Sequence, residues 1–186
     1  TFGQREITCL TAVTISGEML WQVGTPSAAR GSIYGDLPVQ IYDWDHDGVN
    51  EVLYIRQAVY AEPVLYDDPP FYREHSICER ARRYDGDATL VVLDGVTGRQ
   101  KGTFPLPAPA DGCFLFADLT GRGRREDLLV KDNYWNMWGV SHAGEVLWHW
   151  PGSTGHYPAI ADVDGDGRDE VFVGYALLDH DGTELF

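Results

Sequence analysis

The stretch Ala159-Ile160-Ala161-Asp162-Val163-Asp164-Gly165-Asp166-Gly167-Arg168-Asp169-Glu170-Val171-Phe172 decides the fold. It reads as a short apolar strand, an acidic glycine turn and a second apolar strand. The same order occurs in Val39-Gln40-Ile41-Tyr42-Asp43-Trp44-Asp45-His46-Asp47-Gly48-Val49-Asn50-Glu51-Val52-Leu53. A looser third copy runs from Phe114 through Asp118-Leu119-Thr120-Gly121-Arg122-Gly123 to Leu128-Leu129-Val130. The anchor aspartates Asp43, Asp118 and Asp162 stand 75 and 44 residues apart. With the shorter gap as the period, the longer one holds a unit plus an insertion of about 31 residues. That insertion is residues 57–88, where nothing matches the repeat.

A second signal alternates with the first. Ser16-Gly17-Glu18-Met19-Leu20-Trp21, Ala143-Gly144-Glu145-Val146-Leu147-Trp148 and Asp181-Gly182-Thr183-Glu184-Leu185-Phe186 are one turn and strand start, and Thr97-Gly98-Arg99-Gln100 is a weaker version. Each predicts a hairpin entering an outer strand. One unit is then strand, acidic turn, strand, strand, glycine turn, strand. Four strands in such a period predict an all-β chain of β-propeller blades. Without the insertion the chain holds about 3.5 units, an incomplete ring, since propellers close with four to eight blades. Residues 1–186 are expected to form a single propeller segment, and its start at Thr1 reads as a processed or excised piece.

Composition narrows the function classes. The chain of 186 residues carries 29 acidic and 14 basic residues, a net charge of −15. That charge argues against nucleic acid and against an anionic membrane surface as partners. Hydrophobic residues make up 44%, enough for a full core, while no apolar run reaches the ~20 residues of a spanning helix. Cys9, Cys78 and Cys113 lack zinc-type spacing, and their disulfide state is not readable from sequence.

The acidic turns carry the chemistry. Asp43, Asp45, Asp47 and Glu51 place carboxylates at positions 1, 3, 5 and 9, and Asp162, Asp164, Asp166 and Glu170 do the same. Gly48 and Gly167 stand at position 6, where a sharp turn lets the loop wrap a cation, and the carbonyls of Val49 and Arg168 add a neutral oxygen. Hard oxygen ligands at this spacing suit Ca2+, giving two expected sites that pin strand junctions. The competing reading is a solvated acidic turn. In the third copy Arg122 replaces a ligand, so a guanidinium–carboxylate contact is expected there and no metal.

The acidic turns resemble the calcium-binding repeats of integrin-type (FG-GAP) propellers. Gly155-His156-Tyr157-Pro158 with the Asp162 turn, and Val130-Lys131-Asp132-Asn133-Tyr134-Trp135-Asn136-Met137-Trp138, are similar to segments of rhamnogalacturonan-lyase-like propellers, polysaccharide lyase family eleven and its relatives. The resemblance implies a calcium-rich propeller that cleaves uronate-containing pectin by β-elimination, and an extracellular, cell-surface or periplasmic setting. Such a lyase needs a cation on the substrate carboxylate, a base for the C5 proton and a proton donor for the leaving oxygen. His156, Tyr157, Lys131 and Tyr134 are the candidates, against a reading of His156 and Tyr157 as packing residues at a blade junction. Trp135 and Trp138 are unrepeated and suit a sugar-stacking platform or an interface, whereas Trp148 shares its repeat position with Trp21 and Phe186 and reads as core. His75, Arg80, Arg82 and Arg83 lie in the insertion, on a solvated helix face or a lid.

Two functions follow. The first is a calcium-stabilised segment of a secreted carbohydrate-active protein acting on an acidic polysaccharide. The second is a non-catalytic structural or adhesive module that self-assembles. In both, the expected partners are the remaining blades of a larger propeller or further copies of the chain, since bare sheet edges invite strand addition.

Overall fold

The computed structural model describes residues 7–26, 39–57, 88–108, 110, 113–131 and 136–186. Nearly all of the 57–88 insertion, with Cys78, His75, Arg80, Arg82 and Arg83, lies outside the described residues, as do Tyr134 and Trp135. The described residues contain strands and turns, and no helix among them is long and apolar enough to cross a membrane.

The chain divides into two compact units, Thr1–Pro105 and Leu106–Phe186. In the first, β1 (Cys9–Val13) and β2 (Met19–Gly24) form a hairpin. Strands β3 (Val39–Tyr42), β4 (Glu51–Gln57), β5 (Ala88–Asp94) and β6 (Gln100–Leu106) form a four-stranded sheet in chain order. The second unit repeats that sheet with β7 (Cys113–Ala117), β8 (Asp127–Lys131), β9 (Asn136–Val140) and β10 (Val146–Pro151). A three-stranded sheet follows, of β11 (Ala159–Ala161), β12 (Glu170–Val173) and β13 (Ala176–Leu178). A bridge from Leu178 to Glu184 begins a fourth strand beside it. None of these sheets is closed. The predicted order of strands and turns within a unit holds in all three.

Burial explains the composition of each strand. The inner strand β8, Asp127 to Lys131, is buried at every position, as expected for a strand covered on both faces. The strands after the glycine turns, β2 and β10, alternate in exposure with one face to solvent. In the second unit, Leu129 and Met137 of one sheet share a core with Val171, Val173 and Leu178 of the next, and Trp148 packs against it. In the first, Leu10, Trp21 and Val23 of the hairpin pack on Val52, Val91 and Leu93.

The glycine turns at Gly17, Gly144 and Gly182 are one structure made three times, and the turn at Gly98 is a version one residue longer. Gly17, Gly98, Gly144 and Gly182 have φ of 88°, 70°, 86° and 83°, the left-handed region that glycine enters without steric cost. Their amides donate to Thr14, Asp94, Ser141 and Asp179 carbonyls at 2.8–2.9 Å. The repeated aromatic position behaves as core at Trp21 and Trp148, but Phe186, at the same position, is 70% exposed. Phe186 is therefore not a core residue of the described chain; its backbone instead pairs with Leu177 of β13.

Candidate functional site

The acidic turns between β3 and β4 and between β11 and β12 share four backbone-to-carboxylate hydrogen bonds, and the second turn has one more, from Gly165 N to Asp162 Oδ1 at 2.7 Å. Gly48 N donates to Asp43 Oδ2 and Gly167 N to Asp162 Oδ2, both at 3.1 Å. The amides of Asp47 and Asp166 donate to Asp45 and Asp164, and those of Val49 and Arg168 to Asp47 and Asp166. At the closing position, Glu51 Oε2 accepts from Trp44 N at 2.8 Å and Glu170 Oε2 from Val163 N at 2.6 Å. Both glutamates are buried, at 1% and 2% exposure, so each turn aims a carboxylate inward from its closing strand.

This arrangement brings together donor groups that fit a divalent cation. Asp43, Asp45 and Glu51 each offer an oxygen within 4.8 Å of the others, and so do Asp162, Asp164 and Glu170. A second group, Asp166, Glu170 and His180, overlaps the latter. Among the described residues, Asp43 Oδ1 and Glu170 Oε1 are buried without a hydrogen-bond partner. A buried carboxylate oxygen left unpaired is costly, and a cation removes that cost. The oxygen-rich donor set is the kind that calcium takes.

The two turns differ in one respect that the carboxylate spacing does not show. Lys101, at the start of β6, reaches across to the first turn. Its Nζ lies 2.5 Å from Asp45 Oδ2, 2.7 Å from Glu51 Oε1 and 3.5 Å from Asp47 Oδ2. The Asp45 and Glu51 carboxylates hold the ammonium's pKa above its ordinary value. At the other turn Arg168 and His180 engage Asp166, at 3.6 and 3.9 Å. Among the described residues, Asp162, Asp164 and Glu170 have no lysine or arginine partner.

The turn at Asp118 is held by protein groups. Arg122 Nε pairs with Glu126 at 2.5 Å, the guanidinium–carboxylate contact expected from sequence, with Glu126 as the acid. Asp118 accepts from Arg122 N and Arg124 N at 2.8 and 3.0 Å. The turn is also one residue longer than those at Asp43 and Asp162. Asp127, fully buried and paired across the ladder with Ala117, does what Glu51 and Glu170 do elsewhere, accepting from Leu119 N and Thr120 N. Arg125 then makes a two-pronged contact with Asp169 at 2.8 and 2.9 Å, and Asp169 also accepts from Asp118 N. Between the Asp118 and Asp162 turns lies a groove of about 200 Å3, whose lining includes Arg124, Arg125 and Arg168.

The other sequence candidates fall in different environments. His156 and Tyr157 are exposed in the segment before β11. Lys131, at the end of β8, is 1% exposed and sits across the ladder from Cys113. Burial pushes the Cys113 thiol up to about 11, with Lys131 opposing that shift. Trp138 is half-buried and stacks on His149, with ring centroids 4.9 Å apart and an interplanar angle of 15°. Cys9 and Cys113 are free thiols.

Lys101 is the residue that the spacing of carboxylates could not reveal. Its signal lies in the glycine turns, where the third residue after the glycine is Leu20, Leu147 and Leu185 in three copies and Lys101 in the fourth.

No known family profile matches the chain. It is 25% identical, in a 210-residue alignment, to the rhamnogalacturonan exolyase YesX of Bacillus subtilis strain 168, and 24% identical to the endolyase YesW of the same organism. Each alignment takes in 95% of this chain but 33% of the relative, so the chain spans about a third of the lyases it matches. Among solved structures, the Bacillus licheniformis rhamnogalacturonan lyase PL11 superposes with a TM-score of 0.62 at 22% identity, over 98% of this chain and 36% of the lyase. The V. cholerae biofilm matrix protein Bap1 gives 0.54 at 20% identity, over 91% of this chain and 22% of Bap1. In sequence and in fold, across almost all of its own length, the chain is similar to rhamnogalacturonan lyases.

Proposed function

We propose that the chain is a calcium-stabilised β-propeller segment of an extracellular, carbohydrate-active protein of the rhamnogalacturonan-lyase type. The observation that carries this reading is the sequence similarity to two such lyases over 95% of the chain. The three meandering sheets, and the core that the two sheets of the second unit share, support blades, and the unpaired Glu170 Oε1 supports calcium at the Asp162 turn. Bound there, calcium would neutralise Asp162, Asp164 and Glu170 and pin β11 to β12. Exposed apolar residues such as Met19, Leu20 and Ile41 support partnership with further blades.

The reaction would be β-elimination on a uronate-containing polymer. A base takes the C5 proton, the electron pair forms the C4–C5 double bond, and the C4–oxygen bond breaks as its oxygen is protonated. A cation beside the uronate carboxylate makes the C5 proton easier to remove. The groove between the two turns brings Arg124, Arg125 and Arg168 together with Asp118, Asp162 and Asp169, and Arg124 is the candidate for that contact. His156 and Tyr157 are exposed enough to touch a polymer, so proton transfer falls to them. The ammonium of Lys131 is buried, which suits a positioning role beneath the substrate surface, and Trp138 offers an aromatic face.

Incubation with rhamnogalacturonan in calcium tests this, since elimination creates an unsaturated uronate that absorbs in the ultraviolet. Absorbance should rise with wild type and stay flat with His156→Ala, while both give the same circular dichroism. Equal rates in the two proteins would remove His156 from the mechanism.

The fold likeness to Bap1 favours a second reading, a non-catalytic matrix or adhesive module that self-assembles. A chain that neither cleaves nor binds the polymer, yet sediments as concentration-dependent oligomers, would decide for it.

A further inference from the structure

We infer that the first acidic turn carries its own cation: the Lys101 ammonium takes the place that a metal ion takes at the Asp162 turn. The inference rests on the calcium reading above for the second half of that statement. The two turns share four backbone-to-carboxylate hydrogen bonds, and the Asp162 turn adds a fifth, from Gly165 N to Asp162 Oδ1, where Asp43 Oδ1 is unpaired. The difference in charge lies in the side chain that the following glycine turn delivers. Lys101 brings an ammonium within 2.7 Å of both Asp45 and Glu51. The equivalent position beside the Asp162 turn is Leu185, which has no charge to offer. The Asp118 turn solves the same problem internally, with Arg122 on Glu126. Each cluster of like charges therefore has a different counter-charge: a lysine from β6, an arginine within the turn, and at Asp162 an ion from solution.

The ammonium occupies oxygens of Asp45 and Glu51 that a divalent ion at this turn would use, so such an ion has to compete with it for both. Lys101 does not reach Asp43 Oδ1, which stays unpartnered. Removing the ammonium would join that oxygen to Asp45 and Glu51 in a set like that of Asp162, Asp164 and Glu170.

Calorimetric titration of the chelator-treated chain with CaCl2 tests the inference by counting ions. Wild type should take up one, Lys101→Met two, Lys101→Arg one, and Asp164→Asn none. An unchanged count in Lys101→Met, or a wild-type count of two, would overturn it. Should Lys101→Met fail to fold even with calcium, Asp43→Asn in the wild-type background decides: an unchanged count supports the inference and a loss of one ion overturns it. A wild type that binds none beside a Lys101→Met that binds one would sink the calcium reading of the Asp162 turn and leave the role of Lys101 standing.

Discussion

His46 has a φ of 58°, at the turn position where the Asp118 and Asp162 copies have Gly121 and Gly165. A side chain held in the left-handed region costs on the order of 1 kcal/mol. His46→Gly should therefore stabilise the chain by about 0.5–1 kcal/mol in urea denaturation, part of the gain being offset by greater unfolded-state entropy. A loss of stability would mean that the edge-on contact of His46 with Tyr42, 6.3 Å between centroids, outweighs the strain. Cys113 has the opposite character, a thiol that burial holds in its neutral form up to about pH 11. It should resist alkylation by iodoacetamide at pH 8 in the folded chain and react on unfolding, as mass spectrometry would show. At this scale the carboxylates of both acidic turns were legible, because residues two and four apart in the chain keep their spacing in a turn. Lys101 was not, because its partners lie 50 and 56 residues away and only folding brings them near.

The repeat works at the level of the element by seating a tryptophan on a glycine turn. Trp21 Nε1 donates to Gly95 O at 3.0 Å, and Trp148 Nε1 to His180 O at 2.8 Å. A Cβ at Gly98 would come within 2.6 Å of the Trp21 ring, and one at Gly182 within 2.7 Å of Trp148. Each glycine thus supplies a left-handed turn and a close approach together. Gly182→Ala should cost about 2–3 kcal/mol through strain and overlap. Gly144→Ala, with nothing within 4 Å of its Cβ, should cost less by the overlap part. Equal losses in chemical denaturation would show that the indole contact contributes nothing. Strand order and the hairpins were readable from alternating apolar runs and glycine turns. The length of the Asp118 turn was not, since Glu126 and Asp127 are adjacent acids and the ladder pairing of Asp127 with Ala117 decides which one closes the turn.

At the scale of the whole molecule, calcium proposed at the Asp162 turn would offset part of the net charge of −15. An ion bound to the folded state alone, at 100 times its dissociation constant, adds about 2.7 kcal/mol, which for a chain of this size is a melting shift of roughly 5–10 °C. Chelator should lower the melting temperature by that order, and Asp164→Asn should remove most of the calcium response. An unchanged melting temperature would contradict a structural ion. The repeat arithmetic gave the sheet count, while the relation to rhamnogalacturonan lyases depended on less regular segments, around Lys131 and His156, whose residues the repeat does not require. Engagement of an acidic polysaccharide by so acidic a chain is tested by native electrophoresis through gels cast with and without rhamnogalacturonan, in calcium. The polymer should retard the wild-type chain and a neutral galactan should not. Identical mobility in all three gels would contradict it.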